Sequence, residues 1–114
     1  MTTTLPASWQ PTAAHRLLLA GDETAIPEMR AMLATLPASA RGQVFVEVQS
    51  ASDVEVLDAP GRFTITWLVR DRGQQLRRSV DAWLSEMLPV SAFTESTVYA
   101  WIASDGQARL LSSN

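Results

Sequence analysis

Two rhythms alternate along the chain: short continuous apolar runs, and stretches in which apolar residues return every third or fourth position. They predict strands and helices in turn. Leu17, Leu18 and Leu19 form an unbroken apolar run of the kind seen in a central parallel strand covered on both faces. Gly21 ends it. Asp22, Glu23 or Thr24 can cap a helix, and Pro27 fits only in that helix's first turn. Ile26, Met29, Leu33 and Leu36 then supply an apolar stripe, so a helix is expected over about residues 24–36, with Pro37 stopping it.

Residues 43–49 read as a second strand, in which Val44, Val46 and Val48 alternate with Phe45 and Glu47. A connection rich in Ser, Asp, Pro and Gly follows. A third strand is expected over residues 62–69, with Phe63, Ile65 and Trp67 on one face, and a second helix over 75–88 with Leu76, Val80, Trp83, Leu84 and Met87 as its buried stripe. Pro89 ends that helix. Residues 97–103 are β-branched and aromatic and form the last strand. Ser104, Asp105 and Gly106 turn the chain, and residues 107–111 are expected to make only a helical stub. Residues 1–14 lack a periodic apolar pattern and read as an arm, with residues 15–114 as one domain. Trp9 in that arm packs either onto the domain or onto a partner.

Strands alternating with helices predict an α/β fold, a three-layer, Rossmann-like arrangement around a mainly parallel sheet. If the first strand lies beside the last, the strand order is 3-2-1-4. The crevice between those two strands is then a topological switch point, where open α/β sheets bind ligands. Gly21, Asp22, Glu23 and Thr24 would line one side of it, and Ala103, Ser104, Asp105 and Gly106 the other.

Composition narrows the functions available. At 114 residues, 46% hydrophobic and 18% charged, the chain has enough material for one hydrophobic core and is unlike a disordered protein. It has no cysteine, which excludes disulfides, thiolate catalysis and cysteine-based zinc sites. The net charge is −3, which leaves no overall basic footprint for nucleic acid. No run approaches the ~18 apolar residues of a membrane span, and no leader pattern opens the chain, so a cytoplasmic location without a membrane partner is expected. Arg70, Arg72, Arg77 and Arg78 cluster in sequence as either a solvated face or an anion-binding patch.

The turn after the first strand has one glycine where a dinucleotide fingerprint has three. Asp22 and Glu23 stand where pyrophosphate would lie, and like charges in contact repel by roughly 1 to 4 kcal/mol depending on screening. Those acids suit ribose hydroxyls or complement the helix macrodipole. Asp22, Glu23 and Asp105 facing one another would suggest acid/base chemistry. No nucleophile, histidine or metal-ligand spacing accompanies them, so no catalytic residue and no metal site is assigned. His15 falls at the opposite edge, as a boundary residue. Trp67, Trp83 and Trp101 lie within apolar patterns and are expected in the core.

The segment Ala20-Gly-Asp-Glu-Thr-Ala-Ile-Pro27 closely resembles the A-G-D-E-T-A-[LI]-P signature in the C-terminal domain of siderophore-interacting proteins, the flavin-dependent ferric-siderophore reductases. Val46-Glu47-Val48 is similar to that family's second strand, Trp67-Leu-Val-Arg70 resembles its W-x-x-R, and Tyr99-Ala-Trp-Ile-Ala-Ser-Asp105 resembles its Y-V-W-V-A-G-E. The resemblance implies an NAD(P)H-binding module like that of ferredoxin reductases, taking NADPH or NADH and serving iron transport. It places Gly21, Asp22, Glu23, Thr24, Ala103, Ser104 and Asp105 on the nicotinamide side of the cleft. Arg70 and Arg72 would be within reach of a 2′-phosphate, through paired charge-assisted hydrogen bonds.

The family's flavin barrel and its R-x-Y-[ST] motif do not occur here, so FAD is expected only through a partner chain. Ser104 and Asp105 replace the family's Gly-Glu, which works against close backbone approach of a cofactor. The family's basic C-terminal helix is expected to be reduced to the stub. The leading expectation is therefore a stand-alone pyridine-nucleotide half of a ferric-siderophore reductase system, incomplete for catalysis by itself. The alternative is a non-catalytic protein-interaction or homodimerising domain that has lost the cofactor.

Overall fold

The structure is a computed structural model that describes residues 16–87, 97–103 and 107–112. Leu17, Leu18, Leu19 and Ala20 are all buried in β1 (Arg16–Asp22), as an apolar run covered on both faces requires. A 3-10 turn over Glu23–Ala25 leads into α1 (Ile26–Ala34), with Pro27 in its first turn where no intrahelical N–H is needed. The polypeptide then forms β2 (Arg41–Val48), β3 (Arg62–Val69), α2 (Leu76–Met87), β4 (Thr97–Ile102) and β5 (Gln107–Ser112).

The sheet order is β3-β2-β1-β4-β5. The pairs β1/β2, β1/β4 and β2/β3 are parallel, so these strands form the expected 3-2-1-4 parallel sheet. One expectation fails. Residues 107–111 do not form a helical stub but belong to β5, which pairs antiparallel with β4. Gln, Ala, Arg and Leu are good helix formers. Here the unpaired backbone edge of β4 outweighs local propensity, because an antiparallel strand beside it satisfies a whole row of hydrogen bonds.

Strand alternation divides the core into two layers. Leu17 and Leu19 of β1, with Val44, Val46 and Val48 of β2, face α1 through Ile26, Met29, Met32 and Leu33. Leu18 and Ala20, with Phe45, Leu68, Val98 and Ala100, face α2 through Leu76, Val80, Trp83, Leu84 and Met87. The sheet is thus sandwiched between the two helices, completing three layers. Trp101 is fully buried, whereas Trp67 and Trp83 are half-buried at the margins of the two layers. The Trp101 indole Nε1 is buried and has no hydrogen-bond partner among the described residues. Trp9, His15, Ser104, Asp105 and Gly106 lie outside the described residues.

Candidate functional site

Three parallel strands, β1, β2 and β3, deliver their C-terminal ends to one rim of the sheet, and the polar residues that follow them meet there. At the end of β1, the Asp22 Oδ1 accepts a hydrogen bond from the Thr24 backbone N–H at 2.9 Å and another from the Thr24 hydroxyl. Asp22 therefore caps the 3-10 turn, as its short carboxylate suits it to do. Gly21 sits just inside. A Cβ there would come within 2.8 Å of the Ala25 Cβ and 3.1 Å of the Ala103 Cβ. The missing side chain lets the end of β1 close onto the start of the α1 segment and onto the residue after β4.

Glu47, near the end of β2, is directly beside Asp22 in the strand register. One of its oxygens accepts from Arg70 Nη1 at 2.9 Å, and the other accepts the backbone N–H of Leu76 at 2.7 Å. It therefore holds the first turn of α2, where backbone donors have no intrahelical partner. Arg70 opens a 3-10 turn after β3. Its Nη2 donates to Glu23 at 2.6 Å and its Nε to the Gln49 side chain at 3.1 Å. Gln49 in turn donates to Asp71 at 2.8 Å. Hydrogen bonding to Glu23 first, and to Glu47 second, pushes the Arg70 guanidinium up from its ordinary pKa, so it stays charged. Glu47 is 18% exposed against 42% for Glu23, which makes Glu47 the better shielded of Arg70's two carboxylate partners.

The structure thus brings Gly21, Asp22, Thr24 and Ala103 together, and they share a notch of about 220 Å³ with Glu47 and Leu76. It brings Arg70 to Glu23 but not into that notch. Arg72 is exposed and makes no ion pair among the described residues. The roles of Glu47 and Gln49 were not apparent from sequence. The one available signal was a carboxylate inside the valine-rich run of β2, a position that requires a nearby cation or backbone donor. No group of three or more potential metal ligands occurs among the described residues. No helix among them is long and apolar enough to cross a membrane.

Fold and rim define a doubly wound, mainly parallel α/β module with a small notch of mixed polar and apolar lining at its switch point. A family model described as siderophore-interacting protein matches residues 14–110, and the chain belongs to that family. Among curated proteins it is 35% identical over 103 residues to the ferric vibriobactin reductase ViuB of Vibrio cholerae, covering 90% of this chain and 34% of that protein. It is also similar to two solved structures. The siderophore-interacting protein SipS from Aeromonas hydrophila shows 28% identity and a TM-score of 0.56, over 82% of this chain and 34% of the other. A siderophore utilization protein from T. fusca shows 30% identity and a TM-score of 0.61, with the same coverage. The chain therefore spans about a third of the length of the relatives it matches.

Proposed function

We propose that this chain is the NAD(P)H-binding part of a ferric-siderophore reductase system, with the flavin held by a partner chain or domain outside these residues. The observation that carries the reading is the notch where β1 and β4 end side by side, in a chain 35% identical to a ferric-siderophore reductase. At about 220 Å³ the notch fits a single ring rather than a whole dinucleotide, since pockets that bury drug-sized ligands run from about 300 Å³ upward. The nicotinamide end fits there, and pyrophosphate does not fit against Asp22 and Glu23.

When bound, the nicotinamide supplies a hydride to the flavin. The protein's part is to hold the ring. Gly21 and Ala103 would border the ring, and Asp22 and Thr24 would face ribose hydroxyls. Arg72 is the cation available to a 2′-phosphate, and Arg70 joins it only by leaving Glu23 or Glu47. Titrating NADPH and NADH against the protein, while following tryptophan fluorescence and the thermal midpoint, tests this. Saturable binding is expected, abolished in Ala103→Phe without loss of the fold and weakened for NADPH alone in Arg72→Gln. No saturable change and no thermal protection would overturn it.

One observation favours the second reading, a non-catalytic interaction or homodimerising domain: Arg70 is already neutralised by the chain's own acids. Light scattering separates the two. A stable dimer that buries the rim and ignores both nucleotides supports this second reading.

A further inference from the structure

The opposite rim of the sheet carries a different kind of chemistry. The strands β1, β2 and β3 begin with Arg16, Arg41 and Arg62, and the parallel register pairs Arg16 with Arg41 and Arg41 with Arg62. Strand alternation puts all three on the face that carries α2, the face of Leu18 and Phe45. Adjacent strands lie about 4.8 Å apart, so the row extends over roughly 10 Å. Like charges directly opposite one another in a sheet are destabilising, so such a row is costly unless something neutralises it.

Nothing among the described residues does so. Three arginines elsewhere are matched to acids, Arg30 to Glu55, Arg70 to Glu23 and Glu47, and Arg77 to Asp81, whereas Arg72 and Arg78 make no ion pair among the described residues. Arg16, Arg41 and Arg62 make no ion pair among the described residues, and Arg16 instead donates to the thioether sulfur of Met87 at 3.3 Å, a weak acceptor. The facing helix contributes Trp83 and Met87, and Glu86 beside them is exposed and pairs with none of the row. The three arginines surround a cavity of about 380 Å³ with Gln43, Trp83 and Met87, and no carboxylate among the described residues lines it. Its floor is polar as well, since buried Gln43 donates to the Thr66 hydroxyl at 2.9 Å. In a chain of net charge −3, a three-arginine cavity with no acid among its described lining residues is a local reversal of sign.

We propose that this cavity binds a polyvalent oxyanion, a polyphosphate or polycarboxylate whose charged groups span the three guanidinium positions. Planar guanidinium forks suit phosphate and carboxylate oxygens, and a spaced row favours an anion with several such groups over a single sulfate. The site is at the far end of the strands from the nucleotide notch, so it does not depend on the function proposed above.

The test titrates sodium tripolyphosphate, and separately citrate, at ionic strength held constant with sodium chloride. Thermal midpoint and the Trp83 indole NMR resonance, assigned with Trp83→Phe, report binding. Expected are a saturable rise in midpoint, a shift of the Trp83 resonance, and binding weakened by about tenfold or more in Arg41→Gln/Arg62→Gln. Arg77→Gln/Arg78→Gln, on the outer face of α2, should bind as the parent does. Arg62→Gln alone serves if the double variant fails to fold. Tighter binding of one anion identifies which class the site takes. The proposal is overturned if neither anion gives a saturable response, if the row variants bind unchanged, or if the α2 variant loses binding equally.

Discussion

Replacing Gly42 by alanine puts a methyl group near the start of the β1/β2 contact, at the Leu17/Gly42 pair. A Cβ at this position would lie 2.2 Å from the Leu17 carbonyl oxygen, 2.8 Å from the Leu17 carbonyl carbon and 2.9 Å from Phe63. Ordinary contact begins at 3.4 Å, so the strands must part by about 1 Å, and the first obstacle is backbone that cannot rotate away. Overpacking of this kind costs about 1 to 3 kcal/mol, and each strained or lost ladder hydrogen bond adds about 1 kcal/mol. The expected loss is therefore about 3 to 5 kcal/mol, a large part of a small domain's stability. Gly61→Ala is the matched control, because nothing lies within 4 Å of its Cβ position. It should change stability by less than about 1 kcal/mol, in the stabilising direction. Urea unfolding followed by far-UV circular dichroism measures both. If Gly42→Ala falls within about 1 kcal/mol of the parent, the Leu17/Gly42 pairing is wrong, and with it the alignment of Arg16, Arg41 and Arg62.

Glu47→Ala strands the Leu76 N–H and should cost about 1 to 2 kcal/mol, with faster amide exchange in the first turn of α2. Glu47→Gln keeps an acceptor and should recover most of that protection, and equal exchange in both variants would contradict the assigned role. Met29 is fully buried against the sheet, so Met29→Ala should cost about 2 to 5 kcal/mol in urea unfolding. Trp101→Phe removes a buried N–H that has no partner among the described residues, so relief should offset most of the lost volume. A net cost below about 1 kcal/mol is expected, against the 3 to 5 kcal/mol usual for truncating a buried tryptophan to alanine.

The parts of the fold legible in the sequence were those specified by local periodicity. Leu17 to Leu19 announced a doubly covered strand, and the stripes from Ile26 and from Leu76 each predicted the helix that formed. Right-handed crossovers then left few sheet orders, and the parallel part came out in the one expected. β5 was missed because its residues favour helix locally, and only a neighbouring strand edge makes them extended. The same limit applies to both polar rims. Arg16, Arg41 and Arg62 are far apart in the chain and meet only through register, which no single segment encodes. Arg70 was legible as a cation after the third strand, but its choice of Glu23 and Glu47 depends on three loops arriving at one rim.

That convergence makes the guanidinium of Arg70 a rivet through the upper rim. It fastens the turn after β1 to the end of β2, while the same glutamate on β2 anchors the head of α2. Any visitor drawing Arg70 away from both acids unfastens the β1 turn from the end of β2, while the second oxygen of Glu47 keeps its hold on Leu76, so the cost of occupancy at this rim falls on the β1 turn and spares the head of α2.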